Sequence, residues 1–412
     1  MRSRATLALA ALVTVGLLAG CGKSSTSAAQ KSGPIVQVAP VAPQGAVSLV
    51  TRNTTRVGGA TPVEDAAAVA RTVYPALTSA TRPQALVIAD DRDWPAALAA
   101  ASLSAAPLGA PEIYSEGGEL PEITEQTAAE LRARGLPSLG GAGVITIGDA
   151  PAPQGLKAHN VAFVSPAAGA VQVAKLFTKL VGRPPAVIVV PLAAPANQTM
   201  AYAGLAAESA TPILYAESAG IAPQTIAEIQ SLGHVPIYVA ASSYLSSSAR
   251  QDLARLGTVK NISVGGAAES PSEASIAVAR YSDGTFGWGI HNPGHGLLFA
   301  RSSRPLDGPA AALLSATGEY APLLALESAT TITAPLKTYL ADLQPGYEPG
   351  YGSEYPPAQS QYNRGWVIGD GSAIATTTQA ELDTLLETAP SRRAGEEAST
   401  GATEAESTKT TP

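Results

Sequence analysis

Three short apolar runs punctuate the chain: Ala85-Leu86-Val87-Ile88-Ala89, Ala186-Val187-Ile188-Val189-Val190 and Gly296-Leu297-Leu298-Phe299-Ala300. Each is uninterrupted by polar positions and too short for a helix, the pattern of a strand buried on both faces. Their separation of about a hundred residues is a domain-sized period. Each run passes through a polar or proline-containing loop into an alanine-rich stretch that predicts a helix: Trp94 to Ala106, Asn197 to Ser209 and Gly308 to Thr317. A second strand then follows a proline in every copy, at Glu112-Ile113-Tyr114 after Pro111, Ile213-Leu214-Tyr215 after Pro212, and Leu323-Leu324-Ala325 after Pro322. Proline suits that place because the first residue of a strand tolerates a missing N–H.

Apolar residues at three and four spacing next predict a second helix, through Ile123, Ala128 and Leu131, through Ile226, Ile229 and Leu232, and through Leu336, Tyr339, Leu340 and Leu343. A third strand is read at Val144–Ile147, Pro236–Val239 and Gly365–Ile368. Strands alternating with helices imply α/β domains with parallel sheets and right-handed crossovers. The connecting segments recur as well. Arg56-Val57-Gly58-Gly59-Ala60 and Ile262-Ser263-Val264-Gly265-Gly266-Ala267 each lead into an amphipathic helix. Val161-Ala162-Phe163-Val164-Ser165 does so without the double glycine, which makes the middle copy the degenerate one. The division expected is repeat one over 47–157, repeat two over 158–259 and repeat three over 260–388.

Composition changes this picture little. Over 412 residues, 45% are hydrophobic and 14% charged, as expected of a globular chain with more than one core. A formal charge of -7 argues against nucleic acid as a partner. Cys21 is the only cysteine, so neither an internal disulfide nor a thiolate cluster is available. Arg2 and Arg4, the apolar stretch Ala5–Leu18 and the small residues Leu18-Ala19-Gly20-Cys21 read as a signal peptide over 1–21. The tetrad resembles the bacterial lipobox. That resemblance implies cleavage before Cys21 and thioether attachment of lipid there, which would anchor the protein on the outer face of a bacterial membrane. An ordinary secretory signal is the alternative. Residues 22–46 read as a flexible tether, and 389–412, with almost no bulky apolar residue, as a disordered tail.

In their order, the Gly-Gly-Ala turn, Trp94-Pro95-Ala96-Ala97-Leu98-Ala99, the proline-led strand and Val367-Ile368-Gly369-Asp370-Gly371-Ser372-Ala373-Ile374 resemble the cell wall-binding repeat 2 family, over most of 47–386. Departures are Ala240-Ala241 in place of glycines in the middle copy and two insertions in the third. The resemblance implies three tandem Rossmann-like or flavodoxin-like domains about a pseudo-threefold axis, holding an anionic wall glycopolymer without turnover and without a cofactor. It also implies a polymer-recognition role for Pro111, Ile113, Pro212, Ile213, Leu214, Pro322, Leu323 and Leu324; read from the residues alone, the same segments are ordinary core strands.

Loops at strand C-termini are where open α/β sheets bind ligands. In copy one that loop is Asp90-Asp91-Arg92-Asp93, and in copy three it is Arg301-Ser302-Ser303-Arg304. Arg301 and Arg304 carry guanidinium forks suited to carboxylate or phosphate; solvated loop charge is the competing reading. No metal site is expected: the acidic loop lacks calcium-loop spacing, and Pro293 and Gly294 break the helix that His291 and His295 would need. The insertion from Gln344 to Asn363 offers Tyr347, Tyr351, Tyr355 and Tyr362 either to sugar faces or to its own domain. Nucleophile-elbow, Walker and zinc-hydrolase motifs do not occur. The expectation is a lipid-anchored, non-enzymatic envelope protein whose partners are membrane lipid through Cys21 and a wall polymer or envelope protein. The alternatives are a solute-binding lipoprotein of a transporter and, behind it, an envelope hydrolase.

Overall fold

The fold is that of a computed structural model, which describes residues 47–266, 268–317, 319–347 and 362–390. Cys21, the segments 1–21 and 22–46, Tyr351 and Tyr355 lie outside them. Among the described residues, no helix is long and apolar enough to cross a membrane.

The chain opens with β1 (Val47–Val50), β2 (Thr54–Gly58) and α1 (Pro62–Val73). The first segment continues with β3 (Leu86–Asp90), α2 (Trp94–Ala100), β4 (Glu112–Ser115), α3 (Glu122–Leu131), β5 (Val144–Ile147) and β6 (Ala158–Val161), followed by α4 (Pro166–Leu180). The second holds β7 (Val187–Pro191), α5 (Ala196–Thr199), α6 (Tyr202–Glu208), β8 (Ile213–Ala216), α7 (Pro223–Ser231), β9 (Ile237–Val239), α8 (Ser247–Leu256) and β10 (Val259–Asn261), followed by α9 (Pro271–Arg280). The third holds β11 (Gly296–Arg301), α10 (Asp307–Ala316), β12 (Leu323–Leu326), α11 (Ala334–Asp342), β13 (Gly346–Tyr347), β14 (Arg364–Ile368), α12 (Thr376–Leu386) and β15 (Ala389–Pro390). The alternation predicted from the apolar runs is therefore present, in α/β sheets whose strands are parallel apart from β1.

Sheet membership is offset from the linear division. Sheet one runs β4-β3-β5-β6, and sheet two β8-β7-β9-β10. Sheet three runs β12-β11-β14-β2-β1, so its fourth strand comes from the N-terminal end of the described chain. Gly365 to Ile368 pair in parallel with Thr54 to Val57. The strand at the start of a linear repeat thus completes the sheet of another repeat: Ala158–Val161 lies beside β5, and Thr54–Gly58 beside β14. The helix after each of these strands crosses to the next sheet, α1 against β4, α4 against β8 and α9 against β12. Those three helices share one start signal. Thr61-Pro62, Ser165-Pro166 and Ser270-Pro271 each put a hydroxyl N-cap before a proline, and each hydroxyl accepts from a backbone N–H of the first turn. The middle copy keeps this cap although it lacks the double glycine, and its Phe163 ring fills the space over Gly169.

Helices α2, α6 and α10 meet at the centre of this pseudo-threefold plan. Alanine permits their close approach. Every residue of α10 is buried, and a side chain at Gly308 would stand 2.6 Å from the carbonyl oxygen of Met200. Two tyrosines tie the segments: Tyr215 Oη donates to the Pro95 carbonyl at 2.7 Å and Tyr114 Oη to that of Leu306 at 2.8 Å. At the equivalent place β12 carries Ala325, and the third tie is missing.

Two features lie beyond the periodicity reading. Helices α8 and α12 follow the third strand in the second and third segments, where no helix was expected. The stretch read as a disordered tail begins inside an ordered pairing, Ala389–Pro390 beside Gly346–Tyr347.

Candidate functional site

Each sheet has its topological switch between the first and third strands, so each presents a crevice at the strand C-termini. In sheet three the crevice lies between β11, ending at Arg301, and β14, which leads into Gly369-Asp370. The two arginines there have different fates. Arg304 turns inward, ion-paired with Asp65 of α1 and with Nε 3.4 Å from Asp307 of α10. Both aspartates are fully buried. Asp65 also accepts from the Gly59 N–H at 2.6 Å. Burial pushes its carboxyl up to about 6 against the pull of Arg304, and pushes Asp307 well above the carboxylate range with help from Asp65. One cation thus serves two coupled acids, and burial favours keeping a proton on the pair. Arg301 is half-buried, and its Nη1 is enclosed with no hydrogen-bond partner among the described residues. Burial and the neighbouring Arg304 lower its pKa, the signature of a guanidinium short of a counter-charge.

Beneath them lies a residue that pattern reading passes over. Arg56 of β2 is 1% exposed and donates to Gln379 Oε1 at 2.8 Å, to the carbonyls of Gly369 and Asp370 at 2.8 and 2.7 Å, and to that of Ile374 at 2.7 Å. In sequence it sits in Thr-Thr-Arg-Val, which alternates like a surface strand. Asp307 left a better signal, as a lone acid ahead of Gly-Pro-Ala-Ala-Ala-Leu-Leu.

The acidic loop of sheet one satisfies itself. Asp90 accepts from Arg92 Nε at 2.8 Å, Gly118 N at 2.6 Å and Ser115 Oγ at 3.1 Å, and these bonds outweigh its burial and hold it below the usual carboxylate range. Asp91 accepts from Gly117 N, and Asp93 caps α2 through Ala96 N. Sheet two offers no charge at the same place, where Leu192-Ala193-Ala194 follow β7.

The proline-led segments lie in the core. Ile113, Leu214 and Leu324 are wholly inaccessible, Ile213 and Leu323 are 1% exposed, and Pro111, Pro212 and Pro322 are buried. Side chains at that depth have no face toward a polymer; they fix the β4, β8 and β12 strands. His295 shares a hydrogen bond with Asn292 at 3.1 Å, and no group of three His, Cys, Asp or Glu among the described residues is placed to hold a metal ion. Of the tyrosine insertion, Tyr362 is exposed.

No family model matches the sequence, and no curated protein matches it. Among solved structures the fold is similar to that of Cwp6 from Clostridium difficile, with a TM-score of 0.61 and 17% identity over 83% of this chain and 51% of that one. Cwp8 from Clostridium difficile is similar with a TM-score of 0.60 and 13% identity, over 82% of this chain and 52% of that one. The chain therefore spans about half the length of either neighbour, and at such identities the likeness is one of fold.

Proposed function

We propose that this is a non-catalytic protein of the bacterial cell envelope, held to the outer face of the membrane by lipid on Cys21, that binds an anionic wall polymer through the crevice of sheet three. The single observation carrying the binding part is Arg301, whose enclosed Nη1 has no hydrogen-bond partner among the described residues while the adjacent Arg304 is ion-paired with two internal acids. A polymer carboxylate or phosphate would complete that guanidinium. Support for the location comes from the fold neighbours, which are cell wall proteins of Clostridium difficile. Three sheets about a buried helical centre favour this reading over a two-lobed solute-binding lipoprotein.

Co-sedimentation with isolated cell walls tests it. The wild-type chain is expected to bind, to be released as salt rises, and to lose about tenfold in affinity on Arg301→Gln, the worth of one charge-assisted hydrogen bond. Binding unaffected by both salt and Arg301→Gln would refute the assignment of the crevice, and no binding to any wall fraction would refute the reading altogether.

A further inference from the structure

We propose that a cleft at the opposite, N-terminal edge of sheet two binds a small hydroxylated compound carrying a primary ammonium group. Its volume is about 410 Å³, within the range of small-molecule sites. The floor is made by Ala186 at the start of β7 and by Pro236 and Tyr238 at the start of β9, and the far wall by the loop after α9, Ser282 to Gly287.

That loop is pinned in place. Asp283 accepts from Lys260 Nζ at 2.6 Å, Tyr238 Oη at 2.7 Å and the backbone N–H of Thr285 and Phe286 at 3.0 Å. Phe286 stacks on the Tyr238 ring with centroids 3.8 Å apart. A wall fixed by an ion pair and a ring stack keeps its shape without a ligand, which lowers the ordering cost of binding.

The chemistry comes from Glu208 at the cleft mouth. It is the last residue of α6, where the helix presents its negative end, and a carboxylate there is at the disfavoured end of the dipole. It forms no ion pair among the described residues, and Lys260, which reaches the loop, is committed to Asp283. Glu208 is exposed at the cleft rim, and desolvation by the surrounding walls raises its pKa with no charged group acting in compensation. An ammonium group would supply the missing charge. Hydroxyls of Ser209, Ser282 and Thr285 line the same space and suit a polyol. The Ser282 oxygen already accepts from Gly284 N, so its proton is available to a ligand. With Glu208 uncompensated, the cleft repels anions, which separates it from the crevice of sheet three.

Glucosamine, glucose and N-acetylglucosamine are the probes, titrated into the full chain and followed by calorimetry and by amide shifts of Gly284, Thr285 and Gly287. Glucosamine is expected to bind saturably and about tenfold more tightly than the two uncharged sugars, and Glu208→Gln to erase that difference. Glu208 is a rim residue, so an unchanged unfolding midpoint will certify the variant as folded. Equal affinity for all three sugars, a preference that survives Glu208→Gln, or no saturable binding at millimolar concentrations would each overturn the proposal.

Discussion

Arg304, shared between Asp65 and Asp307, is the residue on which the centre of the molecule turns. Removing it as Arg304→Met leaves Asp65 buried beside an acid with no cation, and breaking buried pairs in this way costs about 3–5 kcal/mol; urea unfolding at neutral pH will register the loss. The two acids also set a pH dependence of definite sign. Both folded-state pKa values stand above that of a free aspartate, so the folded protein holds the extra proton. Their contribution is fully present below about pH 4, the range of unfolded aspartate. It declines as pH rises through the folded value of Asp65, about 6. Asp307→Asn imitates the protonated acid, donating to Asp65 without a titration. It is expected to leave stability at pH 4 within ~1 kcal/mol of wild type, to flatten the pH 4–7 slope, and so to be the more stable of the two at pH 7. A slope as steep as wild type in that variant would contradict a proton held by the Asp65–Asp307 pair. Beyond the lone acid at Asp307, none of this was readable from residue types. Arg301 and Arg304 are chemically identical in the sequence, and only the arrival of α1 and α10 from distant parts of the chain separates a spent guanidinium from an open one.

At the scale of elements, β2 is the piece whose place local pattern could not give. The apolar runs at 85–89, 186–190 and 296–300 became β3, β7 and β11 because burial on both faces leaves a local signature. The same holds for the helices with three and four spacing. Pairing partners leave no such signature, and β2 joins a strand more than three hundred residues away. Its anchoring is by Arg56, whose donors meet three carbonyls around the turn after β14. The turn after β2 is just as constrained. Gly58 has φ +140°, and a Cβ there would stand 2.5 Å from the Gly369 nitrogen. Arg56→Met should therefore strand buried acceptors and destabilise by roughly 3 kcal/mol or more. Gly58→Ala should act in the same direction through strain and steric overlap. In hydrogen exchange, both variants should lose protection first in β14 and β2, because those strands share the affected ladder. Loss beginning instead in β3 or β7 would mean that β2 is not what holds sheet three.

Sheet three closes through this strand, and that closure makes a strong claim about connectivity. In sheet two, α8 passes to β10 through only Gly257 and Thr258. The same step in sheet three would join α12 to β2, but the chain has no bond there. Its two sides nevertheless meet: Arg52 pairs with Glu387 at 3.2 Å, Asn53 Nδ2 donates to the same carboxylate at 3.3 Å, and Asn53 N donates to Asp383 at 2.7 Å. A circular permutant that begins at Thr61, and carries Asn53 to Ala60 behind Glu387 through a two-residue link, should fold to the same three sheets. It gives up β1, β15 and the natural connection between β2 and α1, so a melting temperature a few degrees below wild type is expected, in line with about 1–2 kcal/mol in a protein of this size. It should also make the three units fully consecutive, each running from a hydroxyl-proline helix cap to its own fourth strand. The proline-led strands and apolar runs would support such a permutant equally well whether or not the units are equivalent. The caps at Thr61, Ser165 and Ser270 distinguish the cases, because they mark the same point of each unit, at the helix that crosses to the next sheet. A permutant cut at that point that expresses only as aggregate, beside one cut within the loop after β5 that folds, would show that the order of the chain, rather than the repeated unit, determines how the ring assembles.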